Sequence, residues 1–100
     1  MVKHIILWTL KGSLTAQEKE SVKTVIKDGL EALKGKIPGL LEIKVYKDGL
    51  ASSSADLMLD SSFESLNALK LYASHPEHVA VADSKVRPYT AIRSCLDFEI

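Results

Sequence analysis

The chain has 100 residues, enough for one hydrophobic core and too few for a separate cofactor-binding domain. Its 13 basic and 13 acidic side chains balance, so no net charge draws it to nucleic acid or to an anionic membrane. No apolar stretch is long enough to span a membrane, and Cys95 is the only cysteine, which excludes an intrachain disulfide. We expect one domain over residues 1–100, in the cytoplasm, that binds neither nucleic acid nor membrane.

Apolar periodicity predicts a strand, a helix and a second strand in the first half of the chain. Residues 3–10 are apolar on both faces, as expected for a strand covered on two sides. Residues 13–36 change to a helical period, and Thr15 with Glu18 matches a capping box at the helix start. Residues 40–49 alternate apolar and polar side chains, as in a strand. The apolar stripe of the predicted helix consists of Val22, Val25, Ile26, Leu30 and Leu33.

Two further strands are predicted in the second half of the chain. Residues 55–60 form a short apolar run. Ser61 or Ser62 then provides a cap for a second helix, with Phe63 on the apolar side of that helix. The last strand lies within residues 87–100, and its apolar face carries Ile92, Leu96 and Phe98.

A proline divides the second helical region. Pro76 disfavours helical backbone in the residue before it, so the second helix is expected to end before His75. Proline also suits the first position of a helix. A new helical segment is therefore predicted over residues 76–86.

The order of elements is β-α-β-β-α-β, the ferredoxin-like arrangement. In this α+β fold, four antiparallel strands form one sheet and the helices cover one of its faces. The other face is also rich in apolar residues here, and monomers rarely expose such a surface. We therefore expect a two-fold homodimer that packs one sheet face against the other.

The segment YASHPEHVAV, residues 72–81, holds the strongest candidates for chemistry. The N-terminus of the predicted helix disfavours a charged imidazole, so His78 in its first turn is expected to stay neutral and to be able to act as a general base. The phenol of Tyr72 would orient a carbonyl and stabilise the enolate left by proton removal. In the structural alternative, Tyr72 packs in the core, His75 ends one helix and His78 bonds a nearby carbonyl.

No metal site is predicted. Two histidines three residues apart converge on one ion only when the backbone between them is helical, and Pro76 opposes this for His75. His4 shares a strand face with Trp8, where it either lines an apolar pocket or lies at the surface. Cys95 lacks an activating partner and is expected to be an inert, buried thiol. No phosphate-binding loop or CxxC motif is present, so no cofactor is expected.

The sequence resembles the stress-responsive A/B barrel (Dabb) family of the dimeric α/β-barrel superfamily over nearly its whole length. The resemblance rests on VKHIILWTLK at residues 2–11, on KIPGLLEIKVYKD at residues 36–48 and, most specifically, on YASHPEHVAV. It implies a dimeric α/β barrel, a homodimer whose two sheets face one another. Within the family the chain is distantly similar to plant olivetolic acid cyclase, which closes a linear polyketide by aldol condensation without a cofactor.

The resemblance also implies roles for individual residues. The tyrosine and histidine that this cyclase uses match Tyr72 as the orienting phenol and His78 as the base, and a pocket histidine on its first strand matches His4. Its pocket histidine on the third strand is replaced here by Leu57, which implies a less polar pocket. Besides the two catalytic candidates, the residues expected to line the pocket are His4, Trp8, Leu57, His75 and Val79.

Three functions remain open at this point. The first is a homodimer that binds a small apolar organic molecule in a pocket near His78. The second is a cofactor-free enzyme, such as a polyketide cyclase, lyase or isomerase, with His78 as general base and Tyr72 orienting the substrate. The third is a structural stress-response protein without catalysis, whose apolar faces serve assembly.

Overall fold

The computed structural model describes residues 1–100 and contains one four-stranded antiparallel sheet. The strands are β1 (Val2–Leu10), β2 (Leu40–Tyr46), β3 (Leu57–Phe63) and β4 (Thr90–Glu99), and their order across the sheet is β2-β3-β1-β4. Helix α1 connects β1 to β2, and a second helical region connects β3 to β4. This is the expected ferredoxin-like α+β fold.

Helix α1 (Ala16–Glu31) begins at the predicted capping box. The Thr15 hydroxyl accepts a hydrogen bond from the Glu18 N–H at 3.1 Å, and the Glu18 carboxylate accepts one from the Thr15 N–H at 2.8 Å. Together these bonds satisfy two backbone donors that the first turn of a helix leaves free. The predicted apolar stripe is wrong at one position, because Val25 is 43% exposed while Val22 and Ile26 pack in the core.

The third strand ends three residues later than expected. Ser61, Ser62 and Phe63 belong to β3 and are buried, so neither serine caps a helix and Phe63 lies in the sheet. A buried serine is tolerated there because the Ser61 hydroxyl donates to the His4 carbonyl at 2.9 Å. The helix cap is Ser65, whose hydroxyl accepts from the Ala68 N–H at 3.1 Å.

The second helical region divides at Pro76 as predicted. Helix α2 (Leu66–Ser74) ends just before His75, and helix α3 (Pro76–Val81) has the proline in its first turn. The helical path then continues as a π-helical turn (Ala82–Val86) and a short 3₁₀ turn (Arg87–Tyr89). The periodicity indicates neither turn, because it predicts a regular helix to residue 86 and the last strand from residue 87, whereas β4 begins at Thr90.

The two faces of the sheet have different surroundings. The helices cover the face to which even-numbered residues of β1 point, and the core fills the space between, around Ile6, Ile26, Leu59 and Phe63. No helix packs on the opposite face, which we call the helix-free face. It leaves five large apolar side chains exposed in the single chain: Leu7, Tyr46, Ile92, Leu96 and Phe98. None of the helices has the length and apolar character to span a membrane.

Candidate functional site

A cavity of about 190 Å³ lies between the helix-covered face of the sheet and the second helical region. Strands β1 and β4 contribute one side of it, and α2, α3 and the π turn contribute the other. Its wall is mostly apolar, and no acidic residue lines it. The residues that line it are His4, Ile6, Trp8, Leu30, Leu59, Leu69, Tyr72, Ala73, His78, Ala82, Val86, Arg87, Thr90 and Arg93.

Tyr72 has a buried hydroxyl group without a hydrogen-bond partner. The residue is 1% exposed, and its ring packs against Phe63 with centroids 4.9 Å apart. Burial raises the pKa of Tyr72 well above its ordinary value of 10.0, so the phenol keeps its proton. Leaving a buried hydroxyl unpaired costs about 1–3 kcal/mol. The hydroxyl therefore belongs to a residue of the cavity wall and has no acceptor within the protein.

His78 lies beside this phenol, with ring centroids 4.1 Å apart. Its Nδ1 is 3.2 Å from the Ala73 carbonyl oxygen, which can only accept, so Nδ1 carries the proton and Nε2 keeps its lone pair. Burial is the main cause of a lowered pKa at His78, and the positive charges of Arg87 and Arg93 act in the same direction. The ring is consequently neutral at pH 7 and can accept a proton at Nε2.

His4 is hydrogen-bonded to a residue of the edge strand β4. Asp97 is its cross-strand partner in the β1–β4 ladder, and the two side chains are bonded through Nδ1 of His4. Because a carboxylate only accepts, Nδ1 of His4 is the donor of this bond. Partial burial opposes ionisation of Asp97, but the hydrogen bonds from His4 and Cys95 and the positive charge of Arg93 together outweigh it and lower the pKa of the carboxyl group.

Cys95 completes a cluster with these two residues. Its thiol lies 3.4 Å from the Asp97 carboxylate and 3.9 Å from Nδ1 of His4, and the three ligand atoms lie within 4.8 Å of one another. The expectation of a buried thiol is wrong, because β4 is an edge strand without a helix over it and Cys95 is exposed. Partial desolvation and the bond to Asp97 raise the pKa of the thiol. These residue types bind transition metals, but the hydrogen bonds among them account for their arrangement.

The structure brings together four of the residues predicted to form the site: His4, Trp8, Tyr72 and His78 all line the cavity. His4 and Trp8 point to the helix-covered face, so of the two alternatives for His4 the pocket position is the one observed.

Three predicted pocket residues lie elsewhere. Leu57 is buried at the start of β3, and Leu59, two residues further on the same strand face, lines the cavity instead. His75 caps α3, its Nδ1 accepting from the Glu77 N–H at 3.1 Å. Val79 is half-buried but is not part of the wall, because the face of this region that lines the cavity carries His78 and Ala82, four residues apart.

Sequence reasoning missed the residues that the cavity takes from beyond Val81. Ala82 and Val86 come from the π turn, and Arg87 follows it. Arg93 enters from β4, where it pairs with Trp8 in the ladder. Both arginines are isolated in the sequence, a pattern typical of surface charges, and both are exposed although they line the cavity. Alternation with Ile92 is enough to place Arg93 on the helix-covered face of the sheet. Its position opposite Trp8 also requires the register of β4 against β1, which the sequence does not give.

The fold and the site together define a ferredoxin-like α+β domain with an internal cavity between its sheet and its helices. The family model of the stress responsive A/B barrel domain (Dabb) matches residues 2–100. The chain therefore belongs to the Dabb family.

Solved structures agree with this assignment. A dimeric protein of unknown function with a ferredoxin-like fold from Bacteroides fragilis is 35% identical, with a TM-score of 0.91 over 99% of this chain and 95% of the other. A dimeric ferredoxin-like protein of unknown function from Thermobifida fusca is 25% identical, with a TM-score of 0.77 over 99% and 90%. Hydroxynitrile lyase from Passiflora edulis shares the fold at 17% identity, with a TM-score of 0.73 over 99% and 92%. No curated protein matches the sequence.

Proposed function

We propose that the protein binds a small organic molecule that has an apolar body and a carbonyl oxygen, inside the cavity between sheet and helices. The observation that carries this proposal is the buried, unpartnered hydroxyl of Tyr72 in the cavity wall. A carbonyl oxygen in the cavity would accept the hydrogen bond that the protein itself does not provide.

The size and the wall of the cavity support a ligand of this kind. Nine of the 14 lining residues are hydrophobic, so most of the ligand surface would be apolar. The volume of about 190 Å³ is below the roughly 300 Å³ at which sites for drug-sized molecules begin. A molecule of one ring or a short chain fits this limit better than an extended polyketide.

Replacing Tyr72 by phenylalanine is expected to remove the preference for a carbonyl compound. The measurement is a titration with acetophenone and with ethylbenzene, which lacks the oxygen, followed by the fluorescence of Trp8, the only tryptophan and a cavity residue. A buried hydrogen bond contributes about 0.5–1.5 kcal/mol, so we expect wild type to prefer acetophenone by up to about tenfold. Tyr72→Phe should bind both compounds with similar affinity.

The same variant separates a binding role from a structural one. Because the hydroxyl has no partner within the protein, its removal should leave the melting temperature unchanged or slightly higher. Equal binding of the two compounds by wild type, or an unchanged preference in Tyr72→Phe, would contradict the proposal.

A second candidate, proton transfer in this cavity, is favoured by the contact between Tyr72 and His78. Nε2 of His78 would take a proton from the carbon next to the carbonyl. The electrons of the broken C–H bond would form a C=C bond, and the enolate oxygen would accept the Tyr72 hydrogen bond. The family resemblance to a cyclase that uses a tyrosine and a histidine supports this candidate, with Tyr72 and His78 in those roles.

The proposal includes a homodimer formed through the helix-free faces. This face exposes five large apolar side chains in the single chain, and the Bacteroides and Thermobifida proteins are described as dimeric. A two-fold contact would place the same apolar surface of both copies together and exclude water from it. A purely structural role, in which dimers assemble further, is the alternative. The cytoplasmic location expected from the single cysteine stays a prediction.

A further inference from the structure

We infer that Arg93 forms a carboxylate-binding subsite at the mouth of the cavity, so that a small apolar ligand binds more tightly when it carries a carboxylate group than when its carbonyl group is neutral. This inference rests on the proposed binding function and adds to it the charge of the ligand and the residue that recognises this charge.

The cavity wall carries positive charge. Two arginines and no acidic residue line the cavity. Arg87 is ion-paired with Asp83, one turn away, whereas Arg93 has no ion-pair partner in the structure. Arg93 therefore places a positive charge without a salt bridge beside a mostly apolar space, which favours an anion.

Arg93 both lines the cavity and is exposed to solvent. It lies opposite Trp8 in the β1–β4 ladder, on the face that carries His4 and the cavity. Its positive charge contributes to the lowered pKa of His78 and partly opposes the raised pKa of Tyr72, as expected for a group near both of them. Arg93 is itself exposed, so a bound anionic group would remain partly hydrated while the apolar part of the ligand enters the cavity.

Asp97 is the nearest acidic residue on the same face of β4 as Arg93. Asp97 would be a natural partner for Arg93, but its carboxylate accepts from His4 and from the Cys95 thiol instead. Arg93 is near this cluster, since its charge contributes to the lowered pKa of Asp97 and it also acts on the Cys95 thiol. It forms no salt bridge with Asp97, so N–H donors of its guanidinium group remain for an external carboxylate. Its planar set of N–H donors matches the two oxygens of a carboxylate in a bidentate pair.

The test compares benzoate with benzamide, which has the same shape and a carbonyl oxygen but no charge. Both are titrated into the protein at pH 7.5 and low ionic strength, with the Trp8 fluorescence as the signal. We expect wild type to bind benzoate at least about tenfold more tightly than benzamide, with a preference that weakens as salt is added. Arg93→Gln should reduce this ratio to near one without weakening the binding of benzamide.

Two further variants provide the controls for Arg93→Gln. Lys70→Gln removes one exposed positive charge from α2, outside the cavity wall, and should leave the ratio unchanged. Arg93→Lys keeps the charge but loses the bidentate geometry, so it should give an intermediate ratio. Arg93 is exposed on an edge strand, and equal melting temperatures would verify that all three variants are folded.

Each other outcome counts against the inference. If benzamide binds as tightly as benzoate, or if Arg93→Gln keeps the preference, the carboxylate subsite is wrong while the proposed binding function stands. If phenyl phosphate binds more tightly than benzoate, the ligand class is wrong. If neither benzoate nor benzamide binds at millimolar concentration, the inference is wrong. The proposed function is then tested independently by the titration with acetophenone.

Discussion

Replacing Leu96 by aspartate is expected to convert the protein from a dimer into a monomer. Leu96 is opposite Ile5 in the β1–β4 ladder, on the helix-free face, and is 63% exposed in the single chain. In a two-fold dimer the substitution occurs twice in one interface, and each carboxylate would lose its hydration without gaining a partner. Light scattering should give a mass of 11.0 kDa for the variant and twice this value for wild type.

Leu71 provides the matched control for the dimer. It is a leucine of similar exposure, 57%, on helix α2 away from the helix-free face, so Leu71→Asp should remain dimeric. A wild-type mass equal to one chain, or a Leu96→Asp variant that stays dimeric, would contradict the proposed interface. A wild-type species larger than a dimer would support the structural alternative.

Replacing His78 by glutamine is expected to abolish proton transfer in the cavity if the second candidate function is correct. The reaction to follow is the exchange of the methyl protons of acetophenone for deuterium, observed by proton NMR in D₂O. A positioned general base contributes a factor of about 10²–10⁴ to the rate. The rate of protein-dependent exchange should therefore fall at least about a hundredfold in the variant. Its affinity for acetophenone and its melting temperature should change little.

The pH dependence of this exchange identifies the base. The rate follows the fraction of neutral His78, and burial lowers the pKa of this residue from its ordinary value of 6.5. The rate should therefore rise from acidic pH with its midpoint below pH 6.5, the ordinary pKa of a histidine. A midpoint at or above pH 6.5 would mean that the base is not this half-buried ring.

His75 is the matched control for His78. It occurs in the same short segment but caps α3 through Nδ1 and does not line the cavity. His75→Gln should retain the exchange at wild-type rate and lose only the stability of a helix cap, about 1 kcal/mol. Exchange that persists in His78→Gln would exclude this histidine as the base. A variant that unfolds instead would assign His78 a structural role.

The sequence was sufficient for the features that depend on local chemistry. The capping box at Thr15 and the break at Pro76 both follow from backbone rules that act within a few residues, and both are present. The placement of His4, Trp8, Tyr72 and His78 around one cavity was also predicted, because strand alternation and the family resemblance point to the same face.

The features that were missed depend on contacts between distant parts of the chain. Ser61 looked like a helix cap because its bond to the His4 carbonyl, 57 residues away, is invisible in the local pattern. Arg93 is exposed, as predicted for an isolated arginine, but its place in the cavity wall beside Trp8 depends on the register of β4 against β1. The π turn after Val81 shifts the residues that follow it and brings Ala82 and Val86 into the wall.

Both candidate functions require that the cavity holds a ligand whose oxygen accepts a hydrogen bond from the Tyr72 hydroxyl. The direct measurement is a crystal structure of the protein grown with acetophenone. We expect density for the compound among Trp8, Tyr72 and His78, with its oxygen at roughly 2.5–3.0 Å from the Tyr72 hydroxyl. A cavity filled by protein side chains, or a Tyr72 hydroxyl bonded to another protein group while the compound lies elsewhere, would contradict the account.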